Sequence, residues 1–196
     1  MTFRLSPLHL LFYALLGVLA INITGCDDDD DPEPENEEEL ITDVIFTLTP
    51  RTDSTETVVF RFEDRDGDGG NDPIQSVTGQ LQAGMTYDGT LALTAVEADG
   101  GVEDITAEVR DEDDEHQVFY IATDGLDMAF EYDDMDGDGN PLGLLINATA
   151  GAAGSGNLTV ILRHEPMKDA NGIGISNPDP AGGETDIEVV WNATIQ

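Results

Sequence analysis

Two stretches of the sequence set alternate carboxylates among glycines. The first runs Asp64-Arg65-Asp66-Gly67-Asp68-Gly69-Gly70-Asn71-Asp72 and the second Asp133-Asp134-Met135-Asp136-Gly137-Asp138-Gly139-Asn140. Carboxylates at alternate positions, with glycines that let the backbone curl, can aim several hard oxygens at one centre. Ca²⁺ is held in that way, by about six to eight oxygens at roughly 2.3–2.6 Å. Aspartate and glycine are also ordinary turn residues, but a turn does not need three carboxylates. Both loops are therefore candidate Ca²⁺ sites.

The pattern resembles the first half of an EF-hand loop. That resemblance implies Asp64, Asp66 and Asp68 as ligands in the first stretch and Asp134, Asp136 and Asp138 in the second. The bidentate acid that such a loop carries near its end is replaced by Gln75 and by Leu145. Both stretches also follow strand-like rather than helical patterns. The expectation is a DxDxDG loop at the end of a β-strand, completed by a remote acid or a backbone carbonyl.

Other chemistry is sparse. His116 follows an acidic run, and His164 stands in Arg163-His164-Glu165-Pro166. The two could share a transition metal with Glu165, but nothing in their spacing joins them, so both read as surface histidines. Ser155 lies between Gly154 and Gly156 without the GxSxG context of a nucleophile elbow. No glycine loop precedes a helix in the manner of a phosphate site. No catalytic residue is assigned, and an enzyme is not expected. Nucleic acid is excluded as a partner: the sequence has 42 acidic residues against 7 basic ones, a formal charge of −35, and binding phosphate needs a basic face.

These loops must be carried by something, and the chain divides into three parts. Residues 1–25 hold Arg4 and an apolar run from Leu8 to Ile23 with no acid, the character of a secretory signal. The run ends Ile23-Thr24-Gly25-Cys26, which resembles the bacterial lipobox and implies that Cys26, the single cysteine of 196 residues, is acylated and attached to a lipid bilayer. Residues 26–39 read CDDDDDPEPENEEE, an acidic, proline-containing tether expected to stay extended, with a reach of at most about 46 Å. A cysteine followed at once by acids resembles the export signal of Bacteroidetes surface lipoproteins, which implies the outer membrane and favours the cell surface over its periplasmic side. Asp53-Ser54-Thr55 also fits a short bacterial O-glycosylation pattern.

Residues 40–196 form the expected folded domain. Val58, Phe60 and Phe62 alternate with Arg61 and Glu63, and Val189, Trp191, Ala193 and Ile195 alternate with Asn192 and Thr194. Period-two runs broken by Gly, Asn, Asp and Pro predict an all-β, antiparallel two-sheet sandwich of the Ig-like or Greek-key type. About nine strands are expected, near 42–49, 56–63, 75–82, 86–96, 117–123, 127–133, 142–149, 156–164 and 185–195. Residues 60–69 align with 130–139, and 83–93 with 150–160. This suggests an internal duplication with half-repeats at about 42–99 and 117–196, each half burying its apolar face against the other. Between them, Val102, Ile105 and Val109 have helical spacing and predict one short crossover helix. Residues 166–184 lack periodicity, and loops of that length are commonly functional.

The lipobox, tether, acidic loop, RHEP strand end and GGETDIEV strand together resemble a group of small, uncharacterised Bacteroidetes lipoproteins. Arg163 to Val189 is the most specific part. Some members carry a "type 1 periplasmic binding fold" label, but that fold is doubly wound α/β, and the βαβ rhythm is missing. The resemblance implies no activity. The expected function is a membrane-anchored, surface-exposed lipoprotein whose Ca²⁺-stabilised sandwich has a binding or structural role toward a glycan, protein or solute. The alternative is a solute-binding or accessory lipoprotein of an envelope nutrient-uptake system.

Overall fold

Strands form where every second side chain can leave water, and the alternation read from the sequence is followed closely. The computed structural model describes residues 40–52, 56–67, 70–97, 99–123 and 125–196. Cys26 and the tether, residues 53–55 and Asp68 lie outside the described residues. The elements are β1 (Asp43–Pro50), β2 (Val58–Glu63), β3 (Ile74–Thr78), β4 (Thr86–Val96), β5 (Val102–Glu103), α1 (Ile105–Asp111), β6 (His116–Thr123), β7 (Met128–Tyr132), β8 (Leu145–Ala150), β9 (Gly154–His164), a 3-10 turn (Asp179–Ala181) and β10 (Glu184–Ile195).

The larger sheet has the order β3-β2-β1-β4-β8-β7, with β5 beside the end of β4, and the smaller has the order β10-β9-β6. All pairings between these strands are antiparallel. The all-β sandwich is thus as expected. The sheets, however, do not follow the half-repeats. The first half supplies β1 to β4 to the larger sheet alone, while the second divides β7 and β8 from β6, β9 and β10. Both acidic loops leave strands of the larger sheet, β2 and β7.

Between the sheets runs a chain of aromatic contacts. Trp191 of β10 meets Phe60 of β2 at 5.7 Å between ring centroids, Phe60 meets Phe46 of β1 at 5.9 Å, Phe46 meets Tyr120 of β6 at 5.1 Å, and Tyr120 meets Phe130 of β7 at 5.7 Å. Each polar end of these rings has a partner, as burial requires. The Trp191 indole donates to the Arg61 carbonyl at 2.9 Å and the Tyr120 hydroxyl to that of Gly143 at 2.7 Å.

The helix α1 is the crossover, linking β5 on the larger sheet to β6 on the smaller. Ile105 and Val109 are buried, and Asp104 caps the first turn by accepting from the Ala107 amide. Val102 is not on the helix; it is exposed in β5. The long segment between β9 and β10 covers the small sheet's outer face, where Ile173 and Ala181 pack on Phe119 and Ile161. It also occupies the free edge of β6, with the Tyr120 amide donating to Ile175 at 2.8 Å and the Ser176 hydroxyl to Tyr120 at 2.6 Å.

Candidate metal centre

The first acidic loop begins where β2 runs out of pairing with β3. Asp64 accepts from the Gly67 amide at 3.0 Å through Oδ1. Asp66 accepts through Oδ2 from the Asn71 amide at 3.0 Å and from the Asn71 side chain. The Asn71 backbone and side-chain donors hold the Asp66 carboxyl below its ordinary range, since a hydrogen bond to the charged form favours it. Asp66 is exposed and Asp64 half-buried.

The second loop is built differently. Asp134 gives one oxygen to the Gly143 amide at 2.6 Å and the other to the Leu145 amide at 2.9 Å. Asp136 accepts from the amides of Asp138 at 3.0 Å and Asn140 at 2.8 Å. Its Oδ2 receives the Lys168 ammonium at 3.0 Å, and both side chains are buried. Asp138 is exposed. Among the described residues, then, Asp134, Asp136 and Asp138 are not gathered about one point. The cation facing the loop is the single lysine of the sequence, which also bonds the Asp113 carbonyl.

The histidines depart most from expectation. His116 is fully buried and His164 is 4% exposed, so neither is a surface residue. Antiparallel pairing sets His116 of β6 opposite His164 of β9. The rings stack with centroids 4.8 Å apart. They continue the inward-facing column of Leu158, Val160 and Leu162, which alternation along β9 extends to His164. On the far side of β9, Glu184 of β10 pairs with His164 and Thr185 with Arg163, and the register then skips to Ile187 opposite Leu162. Asp186 is the extra residue of that bulge, a device that re-aims a side chain. Its buried carboxylate faces both rings, with Oδ2 3.8 Å from His116 Nε2 and Oδ1 3.6 Å from His164 Nδ1.

The two segments singled out in the sequence are the walls of this cluster. RHEP supplies His164 and GGETDIEV supplies Asp186. Gly183, at φ +72°, brings its Cα so close to the His164 carbonyl that an added Cβ would lie 2.3 Å from that oxygen. Neither the spacing of those segments nor any local pattern signalled the pairing of His116 with them. Lys168 had a signal too, as the sole lysine among so many acids.

A cleft of about 460 Å³ adjoins both regions, lined by Thr42, Phe62, Asp64, Asp186, Ile187 and Glu188 among others. Its lining sets Phe62 and Ile187 beside Asp64, Asp186 and Glu188. Comparison with family models, curated proteins and solved structures returned no match.

Proposed function

We propose that this chain is a lipid-anchored, surface-facing outer-membrane β-sandwich without catalytic activity. In this reading it binds Ca²⁺ at the first acidic loop and offers the adjoining cleft to a glycan, protein or solute. The single cysteine carries the proposal: Cys26 stands at the end of an apolar leader and at the start of an acidic tether. The first strand after the tether, β1, lies between β2 and β4, so tension on an anchor would fall on a strand paired along both edges. The alternative, an accessory lipoprotein of nutrient uptake, draws on the cleft, whose volume is that of a small-molecule site.

Globomycin, or Cys26→Ala, should leave unprocessed precursor and remove the mature chain from the membrane fraction. Normal maturation of the variant would end the anchor reading. Calcium is tested separately. Removing the leader deletes Arg4 and no acid, taking the formal charge from −35 to −36, and self-repulsion weakens a compact state. At constant ionic strength, millimolar Ca²⁺ should raise the melting temperature by about 2–4 °C, and Mg²⁺ less, because it gives up its water reluctantly. Asp66→Asn should reduce the response. Asp138→Asn should leave it intact, because Lys168 already supplies the second loop's cation. A melting curve indifferent to Ca²⁺ and EDTA would return the first loop to an ordinary turn.

A further inference from the structure

We propose that His116, His164 and Asp186 form a buried site for a divalent first-row transition metal, with Zn²⁺ as the fitting ion. Three observations lead there. The His116 Nε2 atom is buried with no hydrogen-bond partner. Its other ring nitrogen lies 3.1 Å from the Glu112 carbonyl, which holds the proton on Nδ1 and leaves the Nε2 lone pair aimed at Asp186. A second-shell oxygen on the non-ligating nitrogen is the usual arrangement of a metal-binding histidine. His164 turns Nδ1 toward Asp186, and its Nε2 lies 3.8 Å from the Glu115 carboxylate.

The spacing is the second observation. Separations of 3.6 and 3.8 Å between imidazole nitrogen and carboxylate oxygen exceed the ~3.2 Å of a hydrogen bond. Two ligands each about 2.1 Å from a tetrahedral ion stand about 3.4 Å apart. One ligand atom from each residue fits within 4.8 Å of the others, so a small inward movement would seat an ion. The two oxygens of Asp186 face the two rings in turn, and a bidentate carboxylate would complete a four-donor set.

The third observation is the fold. The three residues come one from each strand of the small sheet, β6, β9 and β10. An ion there would staple the end of that sheet at its bulge. Two imidazoles select against Ca²⁺, which takes oxygen ligands, and suit zinc and its neighbours. The site is thus chemically separate from the first acidic loop and does not depend on it.

The test uses the full-length chain in detergent, stripped with EDTA and then given an equivalent of ZnCl₂ in excess Ca²⁺, which keeps surface carboxylates occupied. Zinc should survive desalting at one ion per chain. The Zn K-edge spectrum should show two imidazole shells, and Co²⁺ in its place should give visible d–d bands of a four-coordinate centre. His164→Gln and Asp186→Asn should each weaken Zn²⁺ binding by more than about tenfold while retaining the wild-type far-ultraviolet circular dichroism. Loss of zinc on desalting, or an oxygen-only shell, would overturn the assignment, as would undiminished affinity in both variants. Should a variant fail to fold, the wild-type absorption spectrum still decides.

Discussion

Replacing Lys168 with methionine should lower the stability of the domain by about 3–5 kcal/mol at neutral pH, because one buried charge would be left without the other. The Lys168 side chain is 4% exposed and that of Asp136 not at all. In the intact pair the cost of desolvation roughly offsets the attraction. The loss therefore measures the stranded carboxylate rather than the worth of the bond. Adding Asp136→Asn should restore much of the loss, since an amide oxygen can still accept from the Asp138 and Asn140 amides and no charge remains buried. Acid provides the control. Burial pushes the Asp136 carboxyl up, but the bonds from Lys168 and Asn140 outweigh it and hold it below its ordinary value. Its stabilisation is then complete above the unfolded value near ~4 and fades as the pH falls through the lower folded value. Without the ammonium, burial is less opposed and the carboxyl takes up a proton more readily, so the gap between variant and wild type should narrow on acidification. Urea unfolding at pH 7 and near pH 4 checks both points. A gap that is absent, or constant with pH, would mean that Lys168 is not neutralising a charged Asp136.

Gly183→Ala should cost roughly 3 kcal/mol or more. A left-handed backbone costs an L-residue about 1–2 kcal/mol. The added methyl would also lie 2.3 Å from the His164 carbonyl and 3.1 Å from the Glu165 backbone, and backbone gives way less easily than a side chain. Moving either strand disturbs the pairing of Glu184 with His164 and with it the bulge that aims Asp186. Gly84→Ala separates the two causes: its φ is +74° and nothing stands within 4 Å of an added Cβ, so only the conformational part, about 1–2 kcal/mol, should appear. Equal losses in the two variants, read from urea unfolding, would dismiss the close approach.

Alternation made the strands legible. β4 has the expected limits, and the other eight expected strands lie within a few residues of theirs, because one buried face leaves a period of two in the sequence. β5 left no such trace, being two exposed residues held by pairing to β4. The helix was legible from Ile105 and Val109, but Val102 shared their spacing by accident. The division of strands between sheets was not legible, since likeness between two segments does not say which sheet each joins. The acidic loops were visible as motifs, while what faces them was not. Lys168 reaches Asp136 from 32 residues away. The histidine pair was hidden for a related reason: register and a one-residue bulge, both fixed by tertiary packing, bring together positions that share no local pattern.

The burial of Lys168 has a chemical consequence for the surface. It is the only lysine, so no side chain facing solvent from the folded domain carries a primary amine, and the outward basic groups are guanidinium. Acylating reagents, reducing sugars and lysine-directed proteases find no side-chain target on the folded domain. Nζ becomes reactive only when its clasp to Asp136 opens. The rate of its modification would then report that opening, a local clock set into a protein whose exterior is otherwise inert to amine chemistry.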